Sequence, residues 1–262
     1  MKTAYTYDII KRWIFIFAVF VLILMNSLSG ITYFGGLPMA EVSSKYATLI
    51  TPAGYAFSIW GVIYLTLAVF AGFQFFNGKE VRFYKLIWPY FLINVAANSL
   101  WLVAFQNEAF AVSVALMAVI LLTLVSIFKI FYRLKRMMGT THRYFFHVPF
   151  GLYFGWVCVA TIVNIAVALQ SYQIAFFTAN EGLFAILAIA VATVLALVIV
   201  IAQKDFIFSF AVLWGLVAIY FNQIDEAVIG YTSKIASIVL IASMIIRFVM
   251  DRAKLARYGR SV

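Results

Sequence analysis

Three carboxamides stand where amides are costly. Asn94, Asn98 and Asn164 lie in long apolar stretches, each within two helical turns of a tryptophan. Asn94, Asn98, Trp101 and Phe105 follow at i, i+4, i+7 and i+11, which is one stripe of a helix. Trp156, Ala160 and Asn164 follow at i, i+4 and i+8 and make a second. Phe57, Trp60, Gly61 and Tyr64 are grouped as a third face. Asn26 and Gln74 sit towards the ends of their own apolar runs. An unpaired amide is expensive in hydrocarbon, so all of these should face the interior of a bundle. Two uses are open to each. One is a hydrogen bond between helices, worth roughly 0.6–2 kcal/mol. The other is a polar spot in an aromatic cavity. Aromatic stripes likewise serve as plain core or as stacking surfaces, and three together predict a pocket for a flat apolar ligand with a few polar edges.

Other chemistry finds less support. All nine acidic residues fall at span ends or in loops, and no Lys or Arg sits near mid-membrane, which counts against an ion-coupled mechanism. Lys234 invites a retinal-type Schiff base, but it lies near a membrane surface, away from the depth such a lysine needs. His142 and His147 flank the start of the fifth apolar run, where a lone His is structural more often than a haem or metal ligand. The single cysteine, Cys158, excludes an intrachain disulfide and a cysteine-based metal cluster, and its apolar run makes it an inert core residue. No Ser-His-Asp set, metal motif or Gly-rich phosphate loop is present, so the expectation is no enzyme and no cofactor beyond a non-covalently bound ligand.

The elements that must position these residues are membrane helices. Of 262 residues, 66% are hydrophobic and 11% charged, and the mean hydropathy is +1.05. That balance excludes a soluble enzyme, a nucleic-acid-binding protein and a disordered chain. A span takes about 20 mostly apolar residues. Eight candidates follow: 13–34, 52–76, 86–106, 109–132, 145–169, 182–203, 206–222 and 233–250, the seventh being the shortest. Asn107-Glu108 and Lys204-Asp205 are the whole links of two tight hairpins. A cleaved signal peptide competes for the first span, but its apolar character resumes through Ile31-Phe34. Gly151 and Gly155 form a small-xxx-small pair that lets a neighbouring helix come close.

The net charge of +10 has a membrane explanation. With the N-terminus inside, 17 of the 19 basic residues fall on inner segments: Lys2, Lys11, Arg12; Lys79, Arg82, Lys85; Lys129, Arg133, Lys135, Arg136, Arg143; Lys204; Arg247, Arg252, Lys254, Arg257, Arg260. Only Lys45 and Lys234 fall outside. Acidic residues show no such bias, as the positive-inside rule expects. The prediction is a multi-pass protein with both termini cytoplasmic, in a bacterial inner membrane. Its 129–143 loop is a topological anchor, with a lipid-headgroup patch as the alternative. The expected partners are the bilayer and a hydrophobic small molecule, with a homodimer left open and no nucleic acid.

The same residues carry a family resemblance. The stretch Pro52-Ala53-Gly54-Tyr55-Ala56-Phe57-Ser58-Ile59-Trp60, continuing to Tyr64, resembles the start of the second helix in the TspO/MBR family. That family comprises the tryptophan-rich sensory proteins and the mitochondrial translocator protein. Asn98-x-x-Trp101 with Phe105 is similar to its third-helix pattern, and Pro149 followed by Trp156, Ala160 and Asn164 to its fifth. Ala53 and Tyr55 depart from the family's second proline and its tryptophan. The resemblance covers roughly residues 10–170 and implies a five-helix bundle that binds tetrapyrroles or other flat hydrophobic molecules. It implies a ligand pocket between the helices and the loop Gly35–Thr51, a lid or a simple connection here. Members are linked to sensing, transport or breakdown of such molecules. The combined expectation is an all-α bundle of about eight spans. Residues 1–170 form a TspO-like five-helix part and residues 171–262 a three-helix extension with a basic tail. Phe57, Trp60, Tyr64, Trp101 and Trp156 would hold the ligand by their rings, and Asn94, Asn98 and Asn164 by their amides. The rivals are a transporter of small hydrophobic substrates, a non-binding scaffold or accessory subunit, and an enzyme that degrades bound porphyrin.

Overall fold

The computed structural model describes residues 2–76 and 81–258. Lys79, Glu80 and Arg260 of the charge pattern lie outside the described residues, as do the side chains of Lys2, Asp8, Arg82, Lys254 and Arg257. Uncharged runs must close their own backbone hydrogen bonds in a bilayer, and they do so as helices. In chain order these are α1 (Lys2–Gly30), α2 (Met39–Lys45), α3 (Ile59–Phe76), α4 (Val81–Gln106), α5 (Phe110–Leu134), α6 (Thr140–Ser171), α7 (Ala175–Ala179), α8 (Glu181–Gln203), α9 (Phe206–Asn222) and α10 (Ala227–Tyr258). A 3₁₀ turn, Gly54–Ser58, leads into α3.

Among the described residues, seven helices are long and apolar enough to cross a membrane, and α9, at 17 residues, is shorter. It is nonetheless about 25 Å long by helical rise. It starts at the basic end of the bundle, beside Lys135 and His147. Its far end meets the loop between α1 and α3, where Asn222 Nδ2 donates to Thr51 O and Gln223 Nε2 to Thr48 O. Both expected hairpins are present. Lys204 takes a left-handed conformation (φ 58°) after α8, and Asp205 caps α9 by accepting from the Phe208 N–H at 3.0 Å. Glu108, also left-handed, turns α4 into α5. The first span differs from its sequence reading: α1 ends at Gly30, and Ile31–Phe34 form a turn in which Thr32 has φ 56°.

Five long helices close a ring in the order α1, α4, α5, α6, α3, each against the next and α3 back on α1. Phe15, Ala18, Val19 and Leu22 bury one face of α1, so the first span is a wall of this ring. The last three spans pack on one another and join the ring through α9, which lies along α6. Gly151 and Gly155 make that approach possible. A Cβ on Gly155 would stand 2.3 Å from Phe208 O and one on Gly151 2.9 Å from the Ile207 side chain, while on α9 a Cβ on Gly215 would stand 2.8 Å from Val159. Outward faces stay apolar, as lipid requires: Phe17, Leu65, Leu122, Val191 and Ile235 are exposed.

Candidate functional site

Sequence reasoning brought eight side chains together, and the structure divides them into two layers. Phe57, Trp60, Trp101, Trp156 and Asn164 line one hollow at the centre of the ring, with Phe105, Pro52 and Ser43. Its walls are ring edges and faces. Trp60 lies 5.8 Å from Trp101 and meets Trp156 edge-on at 6.3 Å, and Phe57 meets Trp156 edge-on at the same separation. Phe105 stacks on Trp101 at 5.6 Å. The 3₁₀ turn places Phe57 beside the first residues of α3, so Phe57 and Trp60 share the hollow. Gly61 does not share that face. It is exposed, with nothing within 4 Å of a Cβ built on it, because the buried stripe of α3 runs through Trp60, Ile63, Tyr64, Leu67 and Phe70. The enclosed volume is about 20 Å³, room for about one water.

The polar groups of this hollow fall into two kinds. The Asn164 amide is engaged on both sides, accepting from Trp101 Nε1 at 2.8 Å and donating to Ser113 Oγ at 3.0 Å. By contrast Trp60 Nε1, Trp156 Nε1 and Ser43 Oγ are buried without a hydrogen-bond partner among the described residues, and all three belong to residues of the hollow. Two free indole donors and a hydroxyl around one cavity are complementary to a guest that accepts hydrogen bonds.

Tyr64, Asn94 and Asn98 do not line the hollow. They belong to a hydrogen-bonded chain that crosses the ring in the neighbouring layer. Tyr64 Oη donates to Asn26 Oδ1 (2.6 Å), and Asn26 Nδ2 reaches Asn98 Oδ1 (3.4 Å). Asn98 Nδ2 donates to Tyr153 Oη (3.0 Å), which donates to Asn94 Oδ1 (2.8 Å); Asn94 Nδ2 donates to Thr123 Oγ1 (2.8 Å). Tyr64 also stacks on Trp60 at 5.6 Å, which joins the two layers. Tyr153 is the centre of this chain and was not singled out from sequence, although a tyrosine three residues before Trp156 in an apolar span needs a partner for its hydroxyl.

The loop Gly35–Thr51 is a fastened strap rather than a free connection. Its α2 segment buries Val42 and Ser43 against the bundle. Lys45 and Tyr46 both bond Glu108, whose carboxyl is held below the usual glutamate range by those two hydrogen bonds. Glu181 accepts from the Leu49 N–H at 2.7 Å, and Ala53 N donates to Ala218 O at 3.0 Å. No pattern in the sequence marks Ser43 as part of the hollow.

A second cluster lies at the basic end. Asp205, 1% exposed, accepts from Tyr132 Oη at 2.8 Å and lies 2.6 Å from His147 Nε2. Burial pushes its carboxyl up, but the His147 hydrogen bond and charge, with the Phe208 N–H and the Tyr132 hydroxyl, outweigh burial and hold it below the usual aspartate range. His147 therefore has a protein partner that ties α6 to the α8–α9 turn. Among the described residues no group of three or more His, Cys, Asp or Glu could hold a metal ion.

Comparison with known protein families gives a match. A family model described as TSPO-like protein covers residues 12–246, past residue 170 and through α8, α9 and most of α10. No curated protein and no solved structure matches the chain. The chain belongs to the TSPO-like family.

Proposed function

We propose that this TSPO-like membrane protein binds a flat, apolar molecule with hydrogen-bond acceptors on its edge, a porphyrin or a molecule of that shape, for sensing or transport and without covalent chemistry. The observation that carries this reading is the central hollow, where five aromatic side chains stand around two indole N–H groups that no described protein atom satisfies. A stacked ring contributes about 0.5–1.5 kcal/mol beyond its buried area. An acceptor meeting Trp60 or Trp156 would relieve the desolvation of a buried donor, worth about 1–3 kcal/mol. The hollow has room for about one water, so a flat guest requires the rings to part. The engaged amide of Asn164 then acts by holding Trp101 in place. That same closeness of the rings favours a second reading, in which they are core alone and the protein is a scaffold.

The test is quenching of tryptophan fluorescence by the uncharged dimethyl ester of protoporphyrin, with the protein in lipid nanodiscs. Trp101→Phe with Asn164→Ala removes a stacking surface and its anchor together. It should weaken binding about tenfold or more, a loss of about 1.4 kcal/mol or more, with helix content unchanged. Wild-type affinity in the double variant would place binding away from this hollow, and no quenching of the wild type selects the scaffold reading. Flux of the ester between the two faces of proteoliposomes separates transport from sensing.

A further inference from the structure

The central hollow is not isolated. Val159 and Val163 of α6 form part of its wall and also part of the wall of a second, smaller hollow of about 10 Å³. The second hollow is bounded on its far side by Leu216 and Ile219 of α9 and by Ala188 and Ala192 of α8. It in turn shares Ile50, Ile162 and Ala188 with a third, of about 90 Å³, between α6, α8 and the strap. Ile165 lines this third hollow and is 42% exposed on the outer, lipid-facing surface. The three hollows thus lie in line, from the surface between α6 and α8 to the indoles of Trp60 and Trp156.

Two features of the helices produce this line. First, α9 presses against α6 at Gly151 and Gly155 and against α8, where Ser209 Oγ donates to Ala196 O at 3.1 Å. Wedged between them at the basic end, it leaves α6 and α8 touching only sparsely along the rest of their length. Second, several of the facing positions are small, Ala166 on α6 and Ala185, Ala188 and Ala192 on α8, among larger residues such as Ile162 and Phe184. Where two helices cannot close up, small side chains leave volume instead of contact.

The lining is selective. The second hollow has no polar side chain. The third has Thr48, whose hydroxyl meets Thr51, and Glu181, which accepts from the Leu49 N–H. Past Thr48 and Glu181, the second hollow offers no side chain that would replace the water shell of an ion. Access over the end of the bundle would instead have to undo the strap, which Glu108, Glu181, Asn222 and Gln223 fasten by hydrogen bonds.

We propose that the seam between α6 and α8 is the entrance through which an uncharged apolar molecule dissolved in the bilayer reaches the central hollow, and that α8 to α10 serve to hold it open. This rests on the central hollow being the binding site. The occupant of the seam is the ligand in transit, so a plug in the seam slows arrival and departure alike and leaves affinity unchanged. Ala188 is half-buried at the junction of the second and third hollows, where a larger side chain fills the passage without entering the ring.

The experiment is stopped-flow quenching of tryptophan fluorescence by protoporphyrin dimethyl ester in nanodiscs. Ala188→Phe should slow association tenfold or more with Kd within about twofold of wild type. Val191→Phe, the same bulk on the lipid face of α8, should associate at the wild-type rate. Ala188→Leu is the smaller plug and decides the matter if Ala188→Phe does not fold. Wild-type association in plugged variants that still bind removes the entrance and leaves the central site standing. A loss of affinity with the rate intact makes the seam part of the site and also overturns the proposal. No quenching of the wild type removes the central site, and the entrance with it.

Discussion

At the scale of single residues, the chain from Tyr64 to Thr123 turns buried amides from a liability into a connection between five helices. Tyr153 is its midpoint, accepting from Asn98 and donating to Asn94. Tyr153→Phe leaves an amide hydrogen and an amide oxygen buried together, which costs about 1–3 kcal/mol. Thermal unfolding in detergent should show that loss, and an unchanged midpoint would mean the chain contributes nothing. Sequence alone placed the amides inside but could not tell a ligand-facing amide from a spent one, because a partner such as Ser113 or Thr123 comes from another helix at no fixed spacing. Asp205 carries a pH prediction. Its folded carboxyl is depressed, so its contribution is present above about pH 4 and is lost as pH falls through the lower folded value. Asp205→Asn should unfold at lower temperature near neutral pH and lose less on acidification below about pH 4 than the wild type does. A variant whose acid limb superimposes on that of the wild type would show that the His147 and Tyr132 contacts are not stabilising.

At the scale of elements, the tight hairpin turns and close approaches were legible, while the end of the first span and the buried faces were not. Asn107-Glu108 and Lys204-Asp205 had to be turns, since charge cannot sit inside an apolar span, and both are. The Gly151/Gly155 pair announced a close neighbour without naming it. Gly61 was read onto a face it does not occupy because a membrane helix is apolar all round, so its period does not mark the protein side. Glycine substitutions separate these cases. Gly155→Ala drives a Cβ to 2.3 Å from Phe208 O, backbone that cannot step aside without α9 moving. It should destabilise by about 1–3 kcal/mol. Gly61→Ala meets open space and should be neutral or stabilising by up to about 1 kcal/mol. Equal midpoints for the two variants would mean that α6 and α9 do not touch as described.

At the scale of the whole molecule, the charge pattern and the path of α9 make one argument. If α9 crosses, the turn after it lies on the same side as the strap, and the basic residues at the start of α1, at the start of α4, before α6 and before α9 fall on one side with the C-terminal tail. That grouping accounts for 17 of 19 basic residues, and the positive-inside rule predicts that this side is the cytoplasm. If α9 folded back short of the far surface, Asn222 and Gln223 could not bond the strap at Thr51 and Thr48. Single cysteines test both statements in a Cys158→Ser background, whose native thiol is buried. Ser44→Cys on the strap and Asp225→Cys after α9 are exposed positions and should react with a membrane-impermeant maleimide in intact cells. Met137→Cys, 72% exposed in the basic loop, should react only after lysis. Reaction of Met137→Cys alone in intact cells would invert the orientation. Reaction of Ser44→Cys but not Asp225→Cys would break the eighth crossing and with it the back wall, Leu216 and Ile219, on which the lateral entrance depends.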